Sequence, residues 1–266
     1  MDGDRKSKRM LKKRFEEVLQ RAKARILKEN PNVIGIIVDG SVARGDQGPY
    51  SDIDIIALTK PKSKLKKLFY FDDRIQIDIW FMAIDSYDKA PEGEGTIYAR
   101  DSESHRILFD KGGRVKKILD KWEHVPPKNS DIQEMLEHSC RNLIEYTGKV
   151  RNGWIVKDEY LVRYAAHMVA EASQNPIIIC NNIRVRGENT VWTQLMAAKR
   201  KPKHFSVDYP ICFSLVGETN TRKVYDSAIR LAKESLLFIE KQTDKKLINE
   251  HIISMLSYKS ESDIIG

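Results

Sequence analysis

Two carboxylates one residue apart, Asp52 and Asp54, stand at the head of the apolar run Ile53–Leu58. Residues two apart on a strand share a face, so the pair would project together at roughly 6–7 Å and repel unless a cation lies between them. Upstream, the β-branched run Val33–Val38 leads into Gly40-Ser41-Val42-Ala43-Arg44, a Gly-Ser turn before a helical start. Such a turn offers backbone N–H groups and a hydroxyl to a phosphate. Arg44 is a candidate charge partner for the same group. A third strand pattern, Ile75–Phe81, carries Asp78 among apolar neighbours. A lone acid there would be costly to bury unless paired or liganded. Gly-Ser turns and solvated Asp-x-Asp pairs are each commonplace. Their order and spacing together read as a metal–nucleotide site, with Asp78 completing a three-carboxylate cluster.

The elements that must position these groups are legible from apolar periodicity. Leu11, Phe15, Val18, Leu19, Ala22 and Ile26 recur at helical spacing, predicting a helix from about Arg9 to Lys28 that Asn30-Pro31-Asn32 ends. After the third strand, Asp85–Gly95 reads as a Pro/Gly-rich loop, and Thr96–Arg106 has no clear period. Arg106–Asp110 followed by Lys111-Gly112-Gly113 predicts a short strand and turn, and Val115–Trp122 a short helix. The prolines of His124–Ser130 mark a domain boundary, because they forbid helix continuation and Ser130 can cap the next helix. Beyond it the pattern is helical: Asp131–Val150, Tyr160–Ser173, a helix with Pro176 in its first turn, Val191–Lys199, and Thr221–Lys241 as the longest. The chain therefore predicts an α/β domain over 1–125 and a helical bundle over 131–266.

With 266 residues the chain can bury an ample core. The absence of an apolar signal core before Glu29, and three widely spaced cysteines (Cys140, Cys180, Cys212), predict a reducing, cytoplasmic setting with structural thiols. No run approaches the roughly 18–20 apolar residues of a membrane span, so no membrane partner is expected. A net charge of +8 favours polyanionic partners: nucleotide, nucleic acid or acidic lipid. The basic clusters Arg5–Arg14, Lys60–Lys67 and Lys199–His204 lack the aromatic interleaving of a base-stacking surface, and each reads as a solvated helix face.

The order of apolar strand, Gly-Ser, paired acids and a third acid on a later strand resembles the DNA polymerase beta-type nucleotidyltransferase superfamily. Asp39 departs from it, standing where an apolar or aromatic residue is usual before the Gly-Ser. The wording Gly48-Pro49-Tyr50-Ser51-Asp52-Ile53 narrows the resemblance to kanamycin nucleotidyltransferase-like enzymes. Two further stretches agree: Ile107–Gly113, and Leu143-Ile144-Glu145-Tyr146-Thr147-Gly148-Lys149-Val150-Arg151-Asn152. Matching order runs from about Val33 to Asn152. By itself, Glu145 four residues before Lys149 is an ordinary helical ion pair worth a few tenths of a kcal/mol.

The resemblance implies a nucleotidyltransferase domain with a mixed sheet and flanking helices, followed by the helical domain. It implies transfer of a nucleoside monophosphate, AMP, from ATP to a hydroxyl of a small molecule. Asp52 and Asp54 would hold Mg²⁺, and Gly40, Ser41 and Arg44 would bind the nucleotide. Asp78 would support the metal or position the acceptor, Glu145 would act as base, and Lys149 would contact the phosphates. The family shares active sites across a homodimer, which implies a homodimer here. The family's Glu-Glu pair for a polycationic antibiotic is replaced by Arg141 and Asn142, so an aminoglycoside-like acceptor stands level with a neutral or anionic one. Two alternatives stay open: an RNA-directed nucleotidyltransferase, and a nucleotide-binding regulatory or toxin–antitoxin module.

Overall fold

The computed structural model describes residues 2–60, 67–89, 104–124, 126, 128–217 and 219–243. The chain divides into two compact units, Met1–Pro126 with Val185–Asn189, and Pro127–Arg184 with Thr190–Gly266. Residues 61–66 of the Lys60–Lys67 run, 90–103 of the predicted loop and unassigned stretch, and Val125 and Pro127 of the predicted boundary lie outside the described residues.

The first unit is built on a five-stranded mixed sheet. Its strands are β1 (Val33–Asp39), β2 (Ile53–Thr59), β3 (Lys67–Asp72), β4 (Ile75–Ala83) and β5 (His105–Asp110), in the spatial order β3-β4-β2-β1-β5. The β2–β4 pair is parallel and the others are antiparallel. Helix α1 (Asp2–Glu29) starts earlier than its apolar spacing predicts. It covers one face of the sheet, where Phe15, Val18, Leu19, Ala22 and Ile26 pack with Ile36, Val38, Ile53, Ile55, Ile77 and Ile79. Helices α3 (Ile84–Tyr87) and α4 (Arg114–His124), introduced after the five-residue α2 (Gly40–Arg44), close part of the opposite face. There Val115, Ile118 and Trp122 bury Ile37 and Leu58.

Strand β3 has no counterpart in the periodicity, because it is an edge strand in which two of the three exposed positions, Phe69 and Phe71, are aromatic rather than polar. It joins β4 through Asp73-Arg74, both in the left-handed region (φ 47° and 60°), as a tight two-residue hairpin requires. Arg14 and Arg21 of α1 hold the hairpin by pairing with Asp73 (2.7 Å) and Asp72 (2.8 Å).

The second unit is helical: α5 (Asn129–Ile155), α6 (Glu159–Ala172), α7 (Gln174–Cys180), α8 (Glu188–Ala197), α9 (Phe205–Cys212) and α10 (Thr221–Thr243). The first two residues of α8 count with the first unit. Helix α5, with 27 residues, exceeds the 23 of α10, which is not the longest as its pattern predicts. Helix α5 runs on through Gly148 and Gly153 because one face stays buried at Leu143, Thr147 and Val150. Helix α9 has no counterpart in the sequence pattern: Pro210 inside it opposes helix by propensity, and burial of Phe205, Tyr209 and Ile211 overrides this. The Lys199–His204 run is a loop before α9 rather than a helix face. Its side chains are used locally, with Arg200 Nη1 donating to the Cys180 carbonyl (3.1 Å) and His204 Nδ1 lying 2.5 Å from Glu234 Oε1. Fully buried Asp208 accepts two hydrogen bonds from Arg230 (2.7 and 2.5 Å), joining α9 to α10. All three cysteines are free, and no described helix is long and apolar enough to cross a membrane.

Candidate active site

Strand register assembles the site. Asp39 of β1 lies opposite Asp54 of β2, and Asp54 lies opposite Asp78 of β4. The same row extends outward to His105 of β5 beside Asp39 and to Phe69 of β3 beside Asp78. Directly opposed residues share a face, so five strands contribute one line of side chains. Asp52 precedes β2 and reaches the same place: Asp52, Asp54 and Asp78 each bring a carboxylate oxygen within 4.8 Å of the others.

This crowding has an electrostatic consequence. Burial, then the negative charges of Asp52, Asp39 and Asp78, push the Asp54 carboxyl up from 3.8 to about 6, with Lys67 opposing. Asp78 is 8% exposed. Its Oδ2 accepts from Gln76 Nε2 at 2.9 Å. The Lys67 ammonium stands 3.1 Å from its Oδ1, yet that buried oxygen accepts no aligned hydrogen bond. Three converging carboxylates, one with an unsatisfied buried oxygen, make a donor set suited to a hard divalent cation such as Mg²⁺.

The turn sits against the cluster. Gly40 adopts φ +70°, and a Cβ built on it would lie 3.6 Å from Asp54 Oδ2. Glycine takes that left-handed conformation without strain. Asp39, the residue out of place by the family pattern, caps the turn by accepting from the Gly40 amide at 2.7 Å. Its other neighbour is His105, whose Nδ1 lies 3.3 Å from Asp39 Oδ1. Burial pushes Asp39 up, but the contact with His105 and the Gly40 amide outweigh it and leave the carboxyl below its usual range. Ser41 is the second residue of α2, and its carbonyl accepts from the amides of Gly45 and Asp46. The Arg44 guanidinium is largely buried, donating to Asp46 (3.1 Å) and Ser104 (3.2 Å) and packing beside Gly187.

Gly40, Ser41, Arg44, Asp52, Asp54 and Asp78 thus gather in the first unit. Glu145 and Lys149 lie on α5 of the second, where Lys149 Nζ donates to Glu145 Oε1 at 2.7 Å and lies 4.6 Å from the centroid of the Tyr146 ring. Three residues of the site carry little signal in the sequence. Asp39 is visible there only as an anomaly, Lys67 only as one lysine in a basic run, and His105 gives no signal.

Two family profiles match the chain: the nucleotidyltransferase domain over residues 19–146, and the nucleotidyltransferase substrate-binding domain over residues 139–241. No curated protein matches it at a significant level. Among solved structures, the chain is similar to a nucleotidyltransferase-like protein from Exiguobacterium sibiricum 255-15. The likeness is 15% in identity, over 93% of this chain and 86% of that one, with a TM-score of 0.46.

Proposed function

We propose, from the premise that this chain belongs to the nucleotidyltransferase family and has the domain order of its kanamycin nucleotidyltransferase-like members, that it transfers AMP from ATP to a small hydroxyl compound. The acceptor hydroxyl attacks the α-phosphorus, a new P–O bond forms, and the bond to the β-phosphate breaks with pyrophosphate leaving. The observation that carries this reading is the convergence of Asp52, Asp54 and Asp78 within 4.8 Å beside the Gly40 turn.

Asp52, Asp54 and Asp78 would hold Mg²⁺, which when bound offsets the charge of the triphosphate and orients it. The backbone of Gly40 and the Ser41 hydroxyl bind the β- and γ-phosphates, and Arg44 adds positive charge behind the turn. Gln76 fixes the Asp78 carboxylate. From the family resemblance, Glu145 removes the hydroxyl proton and Lys149 contacts the phosphates, both supplied by the partner subunit of a homodimer. General-base assistance of this kind is worth about 10²–10⁴-fold.

The test is incubation with Mg²⁺ and each α-labelled nucleoside triphosphate against a panel of hydroxyl compounds, aminoglycosides and RNA, reading pyrophosphate and labelled acceptor. ATP should give both in equal amounts. Folded protein that binds no Mg²⁺–nucleotide and releases no pyrophosphate with any acceptor would refute the reading.

A further inference from the structure

The β3–β4 edge carries an exposed aromatic surface that nucleotide and metal binding leave unused. Phe69 (51% exposed), Phe71 (62%) and Trp80 (49%) stand on the same face as Asp78. Phe69 is directly opposite Asp78, Phe71 is opposite Gln76, and Trp80 is opposite Lys67. The two phenyl rings meet edge to face at 5.4 Å, and the Lys67 ammonium lies 4.3 Å from the centroid of the Trp80 ring. Three half-exposed aromatic rings on an edge hairpin are an aggregation liability that natural sheets ordinarily blunt with charge. Their continuity with the carboxylate cluster gives them a use.

The direction of the reaction assigns that use, and it rests on the nucleotidyl-transfer reading. Phosphoryl displacement is in line, with attacking and leaving oxygens on opposite sides of phosphorus. The phosphate cradle at Gly40–Ser41 follows β1, and the acids lie on β2 and β4. Pyrophosphate therefore departs on the β1 side, and the hydroxyl arrives from the β4–β3 side, across Asp78. We infer that Phe69, Phe71 and Trp80 form the acceptor subsite, and that the acceptor is a small hydroxyl compound carrying a planar ring. Rings stack on aromatic side chains in a sequence- and substituent-tolerant way. The Lys67 ammonium over the Trp80 ring is paired with Asp78.

The experiment uses the full chain with Mg²⁺ and α,β-methylene-ATP filling the nucleotide site. Binding of 2-(2-naphthyl)ethanol is followed by its own fluorescence, and that of adenosine by equilibrium dialysis. Transfer from α-labelled ATP to each is measured in parallel, beside an aminoglycoside and an RNA oligonucleotide. Ring-bearing alcohols should bind and be labelled, and Phe69→Ser and Trp80→Ser should each weaken binding and raise KM about tenfold or more. Both variants should bind Mg²⁺–nucleotide as the parent does. Unchanged ring binding in both variants, labelling confined to the aminoglycoside or RNA, or a changed oligomeric state with unchanged acceptor KM would overturn the inference. Nucleotide binding and pyrophosphate release in the parent then report separately on the transfer reading itself.

Discussion

Replacing Asp54 by Asn should stabilise the metal-free protein while removing its response to Mg²⁺. Asn keeps the shape of a protonated carboxyl but cannot ionise. In the parent, the carboxyl is pushed from 3.8 to about 6 by burial first, then by Asp52, Asp39 and Asp78. Full conversion at about 1.4 kcal/mol per tenfold would make the ionised state cost about 3 kcal/mol, and partial solvent exposure of Asp54 reduces this to about 1–2 kcal/mol. The sign is set by the raised value. The folded state holds the proton more tightly than the unfolded chain, so this contribution is fully present below about pH 4 and is lost as pH rises through about 6. Scanning calorimetry in EDTA from pH 4 to 8 should show the parent losing stability relative to Asp54→Asn. The variant's Tm at pH 7.5 should be higher by about 2–6 °C. Saturating Mg²⁺ reverses the order, because at a hundred times its dissociation constant a ligand adds about 2.7 kcal/mol. An Asp54→Asn protein less stable than the parent in EDTA at pH 7.5, or one retaining the Mg²⁺ shift, would refute the carboxylate-cluster argument.

Glu145→Gln should lower turnover about 10²-fold or more with nucleotide affinity nearly unchanged; equal loss of both in single-turnover and dialysis measurements makes Glu145 a structural residue. Gly35→Ala would place a methyl 2.3 Å from Val115 Cγ2, where α4 presses on β1. It should cost about 1–3 kcal/mol in denaturant melts, with recovery in the Gly35→Ala/Val115→Ala pair. Arg230→Met strands the buried Asp208 charge and should cost about 3–5 kcal/mol, whereas Asp208→Leu with Arg230→Met should recover most of it. A Tm for the double variant no higher than for Arg230→Met would contradict that account.

The chemistry of Asp54 and Asp78 is legible in the sequence because strand alternation is local, whereas Asp52 precedes β2 and reaches the cluster from outside the strand. Two residues apart means one face wherever the strand lies, and an acid among Ile77 and Ile79 must find a partner. Helix α1 was legible for the same reason, since its stripe from Phe15 to Ile26 needs no knowledge of what it covers. What the sequence could not reveal is which strands lie side by side. The β1–β2, β1–β5 and β2–β4 pairings and the hairpin at Asp73-Arg74 are decided by tertiary contacts, and together they set Asp39, Asp54, Asp78 and Phe69 in one row with His105 at its end. That row turns Asp39 from an anomaly into the cap of the Gly40 turn, and Lys67 from one of a run of lysines into the ion partner of Asp78. It also sets three aromatic rings beside the acids, a juxtaposition that register decides and residue spacing along the chain does not contain.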